Sequence, residues 1–314
     1  MSDVPQKLPR DSFIDEIYAE AIRNDRVYFM SADLGAKALD RFRKDCPGRF
    51  IHAGICEQNM VDVAAGLAQC GKLVYLYAMA PYVTLRCYEQ IKVALGHMEL
   101  PATLIGNGIG FSYTDAGPTH YATEDISCMR ALCGCEVISC SDDTSVIETA
   151  RLTYREPALR YVRLDRKFLP QVYAAGDTRF LTDGIVLTDE GEDACIVTNG
   201  YMLHKAREAR VNLAKQGRRI ALVDVYRIKP LDPKVVRRVL EPFSRIVTLE
   251  EHYLAGGIGS AVLEAMADAS LSRPVLRLGI QDRYFCENGG RDYILGLSGL
   301  DVPTITSNVA KFLS

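Results

Sequence analysis

The chain has 314 residues, 48% hydrophobic and 25% charged, with a formal net charge of −3. That composition excludes a disordered or fibrous chain, and the length leads us to expect about two domains. The charge provides no general attraction for nucleic acid or anionic lipid, and no 18-residue apolar run suggests a membrane span.

In chain order, residues 12–24 place Phe13, Ile14, Ile17 and Ile22 at helical spacing, with Asp11 or Ser12 as cap. A buried strand is expected at 26–30, a helix at 59–69, a strand at 73–76 and a helix at 85–98. A strand at 102–105 leads into a glycine-rich loop at 106–110. A helix at 123–132, a strand at 136–139, a helix at 144–153 and a strand at 158–163 follow. The alternation is βαβ grammar, so the fold class is α/β with a mainly parallel sheet. Residues 168–184 carry Pro, Gly and mixed polarity with weak periodicity, and read as a region between domains. The same grammar then restarts, with strands at 194–198, 220–224, 245–249 and 275–278 and helices at 202–216, 233–240 and 258–270. The expected layout is a first domain at 1–175, a linker at 176–190 and a second mainly parallel-sheet domain at 191–314.

The polar residues 1–9 lack the basic-then-apolar layout of a secretory leader, so a cytoplasmic location is expected. The ten cysteines include no CxxC pair. Cys128, Cys133, Cys135 and Cys140 cluster without zinc-site spacing or histidine partners, so they read as ordinary thiols and no metal ligand is assigned.

Four motifs carry chemistry-bearing residues. Gly54-Ile55-Cys56-Glu57-Gln58-Asn59-Met60-Val61 puts a carboxylate where a loop enters a helix, a place that the helix dipole favours whether or not the acid has another task. Asp115-Ala116-Gly117-Pro118-Thr119-His120, followed by Glu124, Asp125 and Arg130, holds a histidine at a turn before a helix. Such junctions are where open α/β sheets bind ligands, although a surface histidine fits equally. Arg160, Arg163 and Arg166 recur at spacing three, as an anion clamp or a solvated edge with Asp165. Glu250-Glu251-His252 precedes Gly256-Gly257-Ile258-Gly259. The glycines suggest a phosphate loop, but two carboxylates beside it would repel a diphosphate, so a tightly packed structural turn is expected.

Taken in order, these motifs resemble the transketolase family across nearly the whole chain. The resemblance is carried by Ser31-Ala32-Asp33-Leu34, by Arg49-Phe50-Ile51 with GICEQNMV, by DAGPTHYATED with Arg130, and by the segment from Tyr161 to Pro170. VTLEEHYLAGGIGSAV resembles the last domain of transketolases and of 2-oxo-acid dehydrogenase beta chains. The resemblance implies a pyrimidine-binding domain followed by a transketolase C-terminal domain, with thiamine diphosphate as cofactor. Glu57 would hydrogen-bond the aminopyrimidine N1′, driving the tautomer that deprotonates the thiazolium. Tyr82, or alternatively Tyr77, would stack on the pyrimidine, and Asp33 would lie near the cofactor at the subunit boundary. His120 would contact the reacting oxygens, and Arg10 and Arg166 would hold a substrate phosphate.

A full-length transketolase also has a domain marked by Gly-Asp-Gly and a downstream Asn, which holds magnesium and the diphosphate. Thr182-Asp183-Gly184 with Asn212 is only a chance echo of it. The expectation is therefore a split enzyme in which an N-terminal-section subunit holds the diphosphate and Mg2+, with two copies of each chain. Tyr, Met and Gly residues in 73–109 would be buried at that interface. Gly108 and Ala116 stand where the family usually has His and Asp, which points to ketol transfer on a non-standard sugar or sugar phosphate. A 1-deoxyxulose-phosphate-synthase-like or 2-oxo-acid dehydrogenase beta-type subunit is the alternative enzyme, and a non-catalytic regulatory subunit the alternative of another class.

Overall fold

A computed structural model describes residues 7–32 and 35–314. By its internal contacts the chain forms two units, one of Met1–Ile109 with Cys128–Gly176 and the other of Gly110–Ser127 with Asp177–Ser314. The segment Gly110–Ser127 lies within the first domain by sequence, yet it packs with the second unit.

The first unit opens with α1 (Pro9–Arg23), β1 (Val27–Ser31) and β2 (Phe50–His52), with a short helix Ala38–Asp45 between the strands. Helix α2 (Glu57–Gln69), β3 (Leu73–Met79) and β4 (Ala102–Asn107) follow. After α3 (Asp125–Ala131) come β5 (Glu136–Ser139), α4 (Asp143–Arg155) and β6 (Leu159–Leu164). The six strands pair in parallel in the order β5-β6-β4-β3-β1-β2. The apolar run Leu73–Met79 suits a strand covered on both faces. Phe29 anchors one core cluster, with its ring centroid 5.1 Å from Phe42 and 6.1 Å from Tyr77. Tyr75 and Tyr77 thus fill the unit's own core and are fully buried there. The chain moves from β1 to β2 in one direction and to β3 in the other, so a topological switch point lies at the carboxyl ends of β1 and β3, where such sheets place ligands.

The expected continuous helix at 85–98 is broken. Ala80–Val83 is one helical turn, Leu85–Cys87 a 3-10 turn, Tyr88–Gln90 a further α turn and Ile91–Gly96 a π-helix. Thr84, with φ −115° and ψ −82°, cannot continue a helix, and its hydroxyl instead donates to Ala80 O at 2.6 Å.

Asp142 is the main polar tie of this unit. Its side chain caps α4 by accepting Ser145 N–H at 2.8 Å, and Ser145 Oγ returns the bond to Asp142 N–H at 3.0 Å. The other carboxylate oxygen accepts the N–H groups of Val172 and Tyr173 at 2.8 and 2.7 Å. Because Asp142 is fully buried, Asp142→Ala strips a cap and orphans buried donors, at an expected cost of about 3 kcal/mol. A thermal unfolding scan should show Tm lower by roughly 5–10 °C, and an unchanged Tm would refute this accounting.

The second unit has a five-stranded sheet built from β7 (Ile185–Asp189), β8 (Ala194–Thr198), β9 (Ile220–Val225), β10 (Ile246–Tyr253) and β11 (Val275–Ile280), in the order β11-β10-β8-β9-β7. All pairs are parallel except β7 with β9. Helices α5 (Gly200–Ala214), α6 (Ile258–Asp268), α7 (Arg291–Leu297) and α8 (Val302–Leu313) flank it, together with the short helix Pro233–Leu240. The region expected as linker, 176–190, contains the helix Arg179–Asp183 and the strand β7 itself.

Candidate active site

In the first unit, β2 ends at His52 and the chain turns through Gly54 into α2. Glu57 is the first residue of that helix, where unpaired N–H groups and the dipole favour a carboxylate. It is only 4% exposed, although its neighbour Ile55 is 75% exposed. The Arg86 guanidinium donates from Nη1 to Glu57 Oε2 at 2.9 Å. The same guanidinium lies over the Tyr82 ring at 3.9 Å from the centroid. Glu57, Arg86 and Tyr82 therefore form one cluster at the start of α2.

Cys87 extends this cluster inward, its thiol donating to Tyr82 O at 3.1 Å. Burial first, and the nearby Glu57 charge second, push the Cys87 thiol up to about 12, so it stays protonated and unreactive at neutral pH. Of the two tyrosines considered for stacking, Tyr77 belongs to the β3 core and Tyr82 stands beside the Glu57–Arg86 pair.

Arg10 lies in the first turn of α1, half-buried, with Nε 3.3 Å from Asp11 Oδ1. Arg166 follows β6 and is half-buried. Arg160 and Arg163 are buried in β6, where Arg160 pairs with Glu136 at 2.5 Å and Arg163 donates to Ser139 Oγ at 3.3 Å. Of the three regularly spaced arginines, two thus have structural partners inside the sheet. Asp33 lies outside the described residues.

His120 belongs to the second unit. Its loop is closed at the base by reciprocal backbone bonds between Gly110 and Ala122, both 3.1 Å. Gly117, at φ +75°, takes the left-handed conformation that lets Pro118–His120 form a 3-10 turn. His120 Nδ1 is 2.8 Å from Thr119 Oγ1, and the Tyr113 ring stands 5.9 Å away. Asp115 and Ala116 are exposed on this loop.

The glycine-rich segment after β10 is a packed turn. Glu250 accepts Ile258 N–H at 2.7 Å and Gly259 N–H at 3.1 Å, so a carboxylate already fills the α6 N-terminus. A side chain on Gly259 would meet Thr248 at 2.7 Å, and one on Gly256 would meet Ser127 at 2.5 Å. The neighbouring Glu251 instead pairs with the buried Arg291.

The sequence reading missed Arg86. Thr84 interrupts the winding between Tyr82 and Arg86, so helical spacing carries no signal for the guanidinium that lies over the ring. A carboxyl group withdrawn from water beside an aromatic ring fits an uncharged aminopyrimidine. Among the described residues there is no group of three or more His, Cys, Asp or Glu placed to hold a metal ion.

Residues 9–171 match the transketolase pyrimidine-binding domain, and residues 184–305 match the transketolase C-terminal domain. The chain belongs to the transketolase family. It is 30% identical over 305 residues to a subunit of the apulose-4-phosphate transketolase of Phocaeicola vulgatus, with 97% of each chain aligned. It is 34% identical over 319 residues to the 1-deoxy-D-xylulose-5-phosphate synthase of Thermomicrobium roseum, where 99% of this chain spans 50% of that enzyme. A solved structure described as a split gene transketolase, inactive beta4 tetramer, superposes with a TM-score of 0.86 at 29% identity over 98% of both chains. Family membership makes thiamine diphosphate the cofactor to which Glu57 and Tyr82 are to be related.

Proposed function

We propose that this chain is the C-terminal-section subunit of a split transketolase, moving a two-carbon ketol unit from a ketose donor to an aldose acceptor. The observation that carries the proposal is Glu57, a carboxylate buried at the α2 N-terminus and joined through Arg86 to Tyr82. It lies in a chain that aligns end to end with a transketolase subunit. Thiamine diphosphate supplies the carbanion chemistry when bound. Glu57 would hold the pyrimidine N1′ and set its tautomer, and its withdrawal from water would strengthen that bond. Tyr82 covers a face of the pyrimidine, and Arg86 fixes the Glu57 side chain. His120 hydrogen-bonds a substrate oxygen and moves a proton there. Arg10 and Arg166 bind a phosphate or another anionic group on the sugar, and Asp33 completes the cofactor side.

The partner is an N-terminal-section subunit that holds the diphosphate and Mg2+, assembled as two copies of each chain in the cytoplasm. The alignment of 97% of this chain with 97% of a relative named as a subunit supports the need for a partner chain. Gly108 and Ala116, at positions where the family usually reads a sugar hydroxyl, favour a non-standard sugar, since an altered set of polar partners changes which substrate is accepted.

The test combines the purified chain with its partner, thiamine diphosphate, Mg2+ and a panel of ketose donors and aldose acceptors. Ketol transfer is expected from the mixture and from neither chain alone. Carbon dioxide release from pyruvate without ketol transfer would move the assignment to the 1-deoxyxulose-phosphate synthase or 2-oxo-acid dehydrogenase beta type. A partner fully active by itself would make this chain a regulatory subunit.

A further inference from the structure

We propose that the Glu251–Arg291 ion pair is a positioning device for His120, through which the C-terminal domain holds the substrate loop in place. The proposal rests on the role given to His120 above.

The loop is strapped at both ends to the end of β10. At its start, Phe111 donates its N–H to Glu251 Oε1 at 3.1 Å. Gly110, at φ +56°, passes so close that a Cβ there would lie 2.5 Å from the Glu251 carboxylate carbon. At its far end, Tyr253 donates its N–H to Thr123 O at 2.8 Å, and Ser127 N–H approaches His252 Nε2 at 3.5 Å. The buried Arg291 sets Glu251 with two bonds, Nε to Oε1 at 2.9 Å and Nη2 to Oε2 at 2.5 Å. Arg291 in turn lies on the Tyr201 ring, 3.8 Å from its centroid. One strand end therefore holds both arms of the loop that carries His120, and the fork-shaped ion pair orients the contact at its Phe111 arm.

An ion pair with side chains only 2% and 6% exposed is a weak source of stability, since apolar replacements often fold as well or better. Its value here lies in the direction it gives to Phe111 and the loop. Removing one partner strands a buried charge, so the decisive variant removes both, Glu251→Leu with Arg291→Met. In the reconstituted enzyme this double variant is expected to keep its affinity for thiamine diphosphate within about 2-fold while kcat/KM falls at least ~10-fold. In a His120→Ala background the same change should cost less than about 2-fold, because the loop no longer carries the group being positioned. A purely structural defect would lower activity equally in both backgrounds.

Hydrogen exchange of the purified chain gives a reading independent of catalysis. The Phe111 amide should lose protection in the double variant. Unchanged protection at Phe111, unchanged kcat/KM, or an equal loss in both backgrounds would overturn the proposal. A fully active His120→Ala enzyme would instead overturn the role of His120, and exchange at Phe111 would then decide the anchoring alone.

Discussion

Glu57→Gln should reduce ketol transfer by the reconstituted enzyme about 10³-fold, the scale of losing a positioned acid in catalysis. An amide at this position keeps a polar contact but cannot provide the acidity that sets the pyrimidine tautomer. The fold should survive. The partner of Glu57 is Arg86, whose side chain is 40% exposed, and a guanidinium with that much access to water stays hydrated when its carboxylate is lost. The change in stability should therefore be under ~1 kcal/mol. Steady-state rates and a thermal melt on the same preparation separate the two effects. A variant that keeps more than about a tenth of the rate would remove Glu57 from the role assigned by general acid–base reasoning.

His120→Ala should lower kcat/KM about 10²-fold, at the lower end of what a positioned proton donor contributes. Its thiamine diphosphate affinity should match the parent, because the groups assigned to the pyrimidine are Glu57 and Tyr82, and His120 is assigned a substrate oxygen instead. The side chain is half-buried on a loop and contacts Thr119 and Tyr113, so the melt should be unchanged. Titration calorimetry with cofactor, set against kinetics with a saturating donor, distinguishes this outcome from a loss of cofactor. A His120→Ala enzyme with parental kinetics would leave the loop without its catalytic residue.

Much of the fold was legible because parallel strands covered on both faces write themselves as unbroken apolar runs. Leu73–Met79 is of this kind, and Ile220–Val225 departs from it only at Asp224. The segments that escaped notice carry weaker signals. Strand β2 has three residues, and the helix Ala38–Asp45 is dominated by charge. Strand β7 begins inside a stretch rich in turn residues. Residues 85–98 kept enough apolar spacing to suggest one helix, but a 3-10 turn and a π-helix wind the backbone more tightly and more loosely than that spacing assumes. For the site, Glu57, His120 and the turn at Gly256–Gly259 could be placed from local sequence. The contact of Glu251 with Phe111 could not, since 140 residues separate them and no local periodicity encodes a pairing at that distance.

The strapping of Gly110–Ser127 to the end of β10 has a consequence for recombination among relatives. Chimeras joined at the conventional border near residue 176 would mate one parent's histidine-bearing loop with the other parent's restraining strand. Viable hybrids should therefore be those in which Gly110, Phe111, Glu251 and Arg291 travel from a single ancestor.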